Sequence, residues 1–309
     1  MTGTVTDLVV RSLAGLVDLD VERTRYRGHA RELAAAAPGE IVIVLGGDGS
    51  INEVVNGVMG RDGGVPGSAG PGNAGPDGPD RSGTPLIAVI PGGGGNVFAQ
   101  GLGLPVDAAA AIRRVREAIA AGRHRTIGLG LAADRYFTFS AGLGMDAEVV
   151  GEVDRLRAEG HRESASLFLR TMVRQYYRGT DRRRPALTLE RDGEPPASDL
   201  FMAIITNRSP WTYFRGRPLL PAPGPDFNSG LDLLALRRIR LTTIVSAVGQ
   251  MLYIRNRPPR GRDMLSVLGL GSLTLRSARP IAFQVDGEYL GETEAVKFQF
   301  VPDALRVAA

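Results

Sequence analysis

Two stretches of this chain share one pattern, and that pattern leaves few folds open. Ile41–Leu45 (IVIVL) is a short, continuous, β-branched apolar run followed at once by Gly46-Gly47-Asp48-Gly49-Ser50. Leu86–Ile90 (LIAVI) is a second such run, followed by Pro91-Gly92-Gly93-Gly94-Gly95-Asn96. Uninterrupted apolar runs of this length read as strands buried on both faces, the habit of parallel sheets. After the first loop, Ile51, Val54, Val55, Val58 and Met59 mark one buried helical face. Arg25–Ala36 reads as a helix before the first strand. Strand, glycine turn and helix in repeated order make an α/β unit. Two adjacent parallel strands that end in glycine loops form a crevice at their carboxyl ends, where ligands bind.

The first loop suits a phosphate. Glycines let backbone amides approach closely, and a helix N-terminus offers free N–H groups and the positive end of its dipole. Ser50 and Glu53 have the S-x-x-E spacing of a capping box, which predicts a helix starting there. Asp48 lies in the loop, within reach of a magnesium ion or a ligand hydroxyl. The glycine spacing alone fits a tight strand-to-helix turn with an ordinary cap equally well. Pairing with the second loop favours the ligand site.

The rest of the chain divides unevenly. Gly60–Thr84 is almost wholly Gly, Pro, Ala, Ser, Asn and Asp. Such a stretch buries too little apolar surface to offset its ordering entropy, and reads as a disordered insertion inside a domain. Val106–Ala121 is an alanine-rich helix. Beyond it the texture is that of strands: Tyr136–Ser140, Ala186–Glu190, Leu200–Thr206, Leu231–Leu236, Ser272–Arg276, Ile281–Val285 and Val296–Val301. Hairpin-type turns stand at Arg191-Asp192-Gly193-Glu194 and Asp286-Gly287-Glu288. Helices are expected near Ser164–Arg178 and Thr242–Ile254. The expectation is a parallel-sheet α/β nucleotide-binding domain over residues 1–125 and an antiparallel β-rich, sandwich-like domain over 126–309.

Composition removes several chemistries. There is no cysteine, which rules out disulfides, zinc–thiolate centres and a cysteine nucleophile in this sequence. Lys297 is the only lysine. A P-loop needs a lysine after its glycines, and the protein-kinase scheme needs one on a strand. Any phosphoryl transfer must therefore use another scaffold. No apolar window reaches the length of a membrane span. Asp7, Arg11, Asp18 and Asp20 interrupt the N-terminal apolar pattern, so a secretory signal is not expected and a cytoplasmic location is.

Taken together, GGDGSINEVVNG (46–57) resembles the signature of the diacylglycerol kinase catalytic domain, shared with sphingosine kinases and bacterial lipid kinases; NAD kinases and phosphofructokinases have related folds. Other segments match in order. Thr24 with Gly28-His29-Ala30 is similar to the family's "T…GHA", and PGGGGNVFAQGLGLP (91–105) to its second glycine loop. Ser140–Ala147 is similar to "G-x-G-x-D-A", Ser229-Gly230-Leu231-Asp232 to "D-G-x-L-D", and Asp286-Gly287-Glu288 to "D-G-E". The resemblance covers about Asp7 to Val307. It implies two domains with ATP in the cleft between them, and last residues that return to the first domain. It implies ATP and Mg²⁺ held around Thr24, Gly46, Gly47, Asp48, Gly49, Ser50, Asn52 and Glu53, with Gly93, Gly94 and Asn96 nearby. Glu288 is the implied general base, with Asp286 helping to position it or the metal.

Three departures stand out. Gly94 occupies a place where the family usually has Thr or Ser. Ser229 stands where many relatives have an Asp of a structural magnesium site, whose other members map to Asp226 and, through its backbone, Leu231. The family's opening strand, ending in Asn-Pro, has no counterpart before Val5, which suggests a truncated start or a sheet lacking one strand. The implied reaction is phosphorylation of diacylglycerol to phosphatidic acid. Alternatives are a long-chain-base kinase, an NAD kinase, or a catalytically inactive nucleotide-binding, membrane-associated protein. Arginine clusters at 178–184, 237–240 and 255–262, with the aromatic segment Trp211–Arg215, suggest peripheral contact with an anionic membrane. Solvated faces of an arginine-rich chain explain them as well. No nucleic-acid motif accompanies them. A homodimer is compatible with the sequence.

Overall fold

The structure, a computed structural model, describes residues 2–60, 84–161, 165–207, 210–214, 216–223 and 226–309. All but the two end residues of the Gly60–Thr84 stretch lie outside these, as do Ser164 and Arg215. The chain divides into two units, one of residues 1–129, 134–136 and 302–309 and one of 130–133 and 137–301. The mixed α/β fold class read from the sequence is the one observed.

The first unit contains α1 (Thr2–Leu13), α2 (His29–Ala36), β1 (Ile41–Gly46), α3 (Asp48–Met59), β2 (Leu86–Pro91), α4 (Val97–Gly101) and α5 (Ala108–Ala120). Strands β1 and β2 pair in parallel from Ile41↔Leu86 to Gly46↔Pro91. The C-terminal residues pair with β2 as well, Val307 opposite Ile87. Leu13, Ile90 and Ile112 bury together on one side of this sheet, and Ala88, Val115 and Ala308 form a second cluster. Helix α5 begins at Asp107, whose carboxylate accepts from the Ala110 N–H at 2.8 Å.

Next come β3 (Arg125–Ala132), β4 (Arg135–Phe137), β5 (Ser140–Leu143), α6 (Met145–Ala158) and α7 (Ala165–Arg174), whose chain continues into a π-helical turn at Gln175–Gly179. β6 (Leu187–Arg191), β7 (Glu194–Leu200), β8 (Met202–Thr206), β9 (Thr212–Phe214), β10 (Arg217–Leu219) and β11 (Leu231–Leu236) follow. The chain ends with α8 (Leu241–Tyr253), β12 (Met264–Leu270), β13 (Ser272–Val285) and β14 (Glu288–Val307). In the second unit the strand order is β14-β13-β5-β8-β11-β12, all antiparallel, with β6 and β7 joined to β13. Phe137, Leu143, Ile205, Leu233, Val285 and Phe298 belong to its main core.

Several sequence expectations need correction. The predicted strand Tyr136–Ser140 is broken at Thr138 and Phe139, because the Asp286 carboxylate takes the three successive backbone N–H groups of Thr138, Phe139 and Ser140. The run Leu200–Thr206 spans the end of β7, a bend at Phe201 and all of β8. The expected helix Arg25–Ala36 begins only at His29, after Gly28 in a left-handed conformation (φ 90°). Ser272–Arg276 and Ile281–Val285 are one strand with an irregular register between Arg276 and Ile281.

Helices α2 and α3 approach so closely that a Cβ on Gly57 would lie 2.3 Å from the Arg31 carbonyl oxygen. Backbone cannot yield as a flexible side chain can. Gly57→Ala is expected to destabilise the protein by about 1–3 kcal/mol. Gly49→Ala, whose Cβ meets nothing within 4 Å, leaves stability unchanged or slightly raised. Thermal unfolding of the two variants checks this contrast.

Candidate active site

In the first unit the two glycine loops touch backbone to backbone. A Cβ on Gly93 would stand 2.6 Å from the Gly47 Cα, and one on Gly92 would stand 3.3 Å from the Gly46 Cα. The Gly92 N–H donates to the Gly46 carbonyl at 2.9 Å, extending the parallel pairing one residue past the strands. Asp48 then locks the loops: its carboxylate accepts from the Val97 N–H at 3.0 Å and the Phe98 N–H at 3.1 Å. This anchors the N-terminus of α4. Asn96, buried and left-handed (φ 49°), closes its own loop, accepting from the Gly93 N–H at 2.9 Å and donating to the Gly93 carbonyl at 2.7 Å.

The capping box does not form. Helix α3 starts at Asp48 with Gly47 as its N-cap and no side-chain cap. Glu53 points elsewhere. Its carboxylate accepts from the Gly28 N–H at 2.8 Å and the Ala30 N–H at 3.1 Å, so it caps α2 and ties the segment after the exposed Thr24 to α3. Ser50 instead fills the space beside Gly46, where a Cβ would lie 2.8 Å from the Ser50 Cβ. Asn52 is also a scaffold residue. It is buried, accepts from the Arg135 guanidinium at 2.7 and 3.0 Å, and donates to the Tyr136 carbonyl at 3.0 Å. One turn later Asn56 pairs with the Tyr136 backbone in both directions, much as a strand neighbour would.

What remains open at the loops fits a phosphate. The first N–H groups of a helix lack intrahelical acceptors, and Gly47, the N-cap of α3, has no side chain to take them. Gly49 and Gly94 face free space, with nothing within 4 Å of a built Cβ. Gly93→Ala is therefore expected to disturb the loop pair, lower stability and weaken the binding of a phosphate-bearing ligand. Gly94→Thr should leave stability within about 0.5 kcal/mol and tighten that binding through the added hydroxyl. Thermal unfolding and nucleotide titration of both variants test the distinction.

In the second unit, Asp286 and Gly287 are the two residues of a tight hairpin joining β13 to β14, both with positive φ (47° and 77°), and Val285 pairs with Glu288 across it. Asp286 is buried. It accepts from the Thr138 N–H (2.7 Å), the Thr138 hydroxyl (2.8 Å), the Phe139 N–H (3.0 Å) and the Ser140 N–H (3.0 Å). Half-buried Glu288 opens β14 between anchored neighbours. The Gly287 N–H donates to Gln284 Oε1 at 2.9 Å, and the Tyr289 N–H donates to Asp154 at 3.3 Å. Gln284, buried in β13, donates in turn to Asp146 at 2.8 Å.

Asp146 comes from the segment similar to "G-x-G-x-D-A". A Cβ on Gly142 would fall 1.9 Å from its carboxylate, which explains the small residue there. Burial raises the Asp146 pKa to about 6, against the lowering effect of hydrogen bonds from Gln284 and Trp211. The folded state thus holds a proton that the unfolded chain has lost between about pH 4 and pH 6, and stability falls as pH rises through that window. Asp146→Asn removes this slope. Relative to the unmodified protein it should gain roughly 2–3 kcal/mol between pH 4 and pH 7. Denaturant unfolding across that range checks it, and a pH-independent difference would contradict it.

The groups proposed for a structural metal are adjacent but already engaged. Asp226 accepts from the Asn228 N–H at 3.1 Å and from the Ser229 hydroxyl, and Leu231 is buried at the start of β11. Asp226 is the sole carboxylate of the three. Among the described residues no cluster of three or more His, Asp or Glu is arranged to hold a metal.

Comparison with known proteins gives this geometry its context. Residues 4–131 match the diacylglycerol kinase catalytic domain, the family resembled by the sequence motifs. The chain is 27% identical over 225 residues to a diacylglycerol kinase of Bacillus subtilis (strain 168), a match covering 70% of this chain and 61% of that protein. The matched region thus spans about six-tenths of that relative's length. In three dimensions the chain is similar to the crystal structure of a diacylglycerol kinase from Bacillus anthracis str. Sterne, with TM-score 0.65 and 17% identity, covering 99% of this chain and 90% of that one. Another structure from the same organism gives 0.71 at 18% identity over 99% and 91%. At these identities the structural likeness shows the fold, and the family match is confined to residues 4–131, under half of the chain.

Proposed function

We propose that this protein is an ATP-dependent lipid kinase that transfers the γ-phosphate to the hydroxyl of diacylglycerol, giving phosphatidic acid. The observation that carries the reading is the locked pair of glycine loops at the ends of β1 and β2, inside the segment that matches the diacylglycerol kinase catalytic domain. In this reading the N-terminus of α3, entered through the glycine N-cap Gly47, and the open face at Gly49 and Gly94 receive the ATP phosphates. Asp48 keeps the loops in register. Magnesium enters with ATP as part of the substrate and neutralises phosphate charge.

A lipid hydroxyl is a poor nucleophile and must lose its proton as it attacks. Glu288 accepts that proton while the hydroxyl oxygen bonds to the γ-phosphorus. The bond from that phosphorus to the β,γ-bridging oxygen breaks, and ADP leaves. Asp286 does not take part in the proton transfer; it holds the turn that presents Glu288.

The test is transfer of label from [γ-³²P]ATP to lipids in mixed micelles with Mg²⁺, offering diacylglycerol, a long-chain base and NAD in parallel. Label in phosphatidic acid, reduced at least about 100-fold in Glu288→Gln, is the expected result. Label in the long-chain base or in NAD would move the acceptor. No label in any of them from folded protein would overturn the kinase reading.

A further inference from the structure

Helix α8 is unusual for a surface helix. Its 13 residues, LTTIVSAVGQMLY, contain no charge. One face is buried through Thr243, Ala247 and Met251, yet Leu241 (54% exposed), Val245 (62%) and Tyr253 (72%) face outward. Helix α7 repeats the pattern one turn apart: Leu169 and Val173, followed by Tyr177 in the π-helical turn, are all about half exposed or more. Phe214 in β9 is exposed too. These elements cover one side of the second unit's sheet. Met172 and Tyr176 from the α7 segment, Ile244 from α8 and Trp211 beside β9 all pack on one cluster with Met202, Ile204 and Leu236. The exposed residues of α8 and of the α7 segment therefore present apolar faces on the same side of this sheet.

The charges that flank α8 in sequence are cationic. From Arg237 to Arg262 the chain has seven arginines and no acidic residue, three before α8 and four after it. Arg238, Arg240, Arg255, Arg257, Arg260 and Arg262 are exposed. On the α7 side Arg170, Arg174, Arg178 and Arg182 are exposed as well. Acids stand among them chiefly on the α7 side, where Glu152 lies 3.1 Å from Arg174 and Asp181 accepts from the Arg183 N–H; beside α8, Asp263 lies 3.8 Å from Arg238. Arg217 rests over the Tyr253 ring and Arg182 over the Tyr176 ring, so their stems cover apolar surface while their heads reach outward.

We propose that the α7–α8 face docks this protein on the surface of an anionic lipid bilayer, with Leu241, Val245, Tyr253, Leu169 and Val173 entering the interface and the flanking arginines meeting lipid headgroups. An uncharged apolar stripe bordered by guanidinium groups is the pattern of a helix lying in a membrane plane. The stripe rests on the bilayer and does not cross it: no helix among the described residues is long and apolar enough to span one. A second copy of the chain is the poorer occupant, because pairing this face with itself would bring two arginine rings together. Docking is independent of which lipid is phosphorylated, so it is measured without ATP.

The experiment is co-flotation of the whole chain with vesicles of phosphatidylcholine alone, or with roughly one-third phosphatidylglycerol. Expected are binding to the anionic vesicles, weakening with salt, and a drop of about tenfold in affinity for Val245→Glu and, separately, for Arg255→Glu/Arg257→Glu. Both sites are exposed, and unchanged thermal unfolding would show that the variants fold. Transfer of phosphate to acceptor in detergent micelles serves as a second readout and should be little altered. Equal binding of the unmodified protein to both vesicles, or full binding by Val245→Glu, would overturn the proposal. So would a dimer in solution that Val245→Glu dissociates, which would assign the face to a second copy.

Discussion

The contact on which the nucleotide-binding half depends is the meeting of Gly47 and Gly93. Two main chains lie so near that a methyl group has no room at Gly93 and only a tight fit at Gly47. Backbone groups leaving the strands here need partners, and the surrounding residues supply them. Asp48 reaches across to the amides of Val97 and Phe98, Asn96 folds back on Gly93, and Gly92 bonds to Gly46. The two loops behave as one rigid cradle as a result. They are not equivalent, however. The start of α4 is occupied by the Asp48 carboxylate, whereas α3 follows a glycine N-cap that has no side chain to offer.

The same device recurs at other acidic residues. Glu53 caps α2, Asp107 caps α5, and Asp286 gathers three consecutive amides and a hydroxyl. A carboxylate that accepts several N–H bonds is a strong, directional tie, stronger than neutral hydrogen bonds of the same length. In this chain such ties fix loops that carry little apolar surface of their own. Acidic residues that a motif suggests for ligand chemistry are here also the fasteners of the site's backbone.

How much of this was legible in the sequence follows from the range of the interactions. Strands β1 and β2 were readable because a continuous apolar run is a local signal, and the glycine loops were readable because glycine is needed for close approach whatever it approaches. The hairpin at Asp286-Gly287 was readable from turn chemistry. The ties themselves were not: Asp48 meets residues about fifty positions away, and Asp286 meets Thr138–Ser140 across nearly 150. Ser50 and Glu53 had the spacing of a local cap, but a long-range demand from Gly28 and Ala30 claimed the glutamate. Asn52 and Asn56, one turn apart on an otherwise apolar helix face, and Gln284 inside the run IAFQV, were the signals of buried polar work that the motifs drew attention away from. β7, with Pro195 and Pro196, was missed because proline argues against a strand; it pairs with β6 alone, on the edge, where a missing N–H is tolerated.

The two-residue turn before Glu288 has a consequence for how such a chain can change. Side chains along a strand alternate between faces, so a one-residue change in the turn that slipped the pairing would carry Glu288 to the opposite face, up to the next bulge. The tip is also nailed to Ser140, whose carbonyl accepts the Asp286 N–H at 2.7 Å, so a longer loop would strain that bond. The length of this turn is therefore constrained differently from the identity of its residues: substitutions there alter degree, whereas a slip changes which face Glu288 occupies.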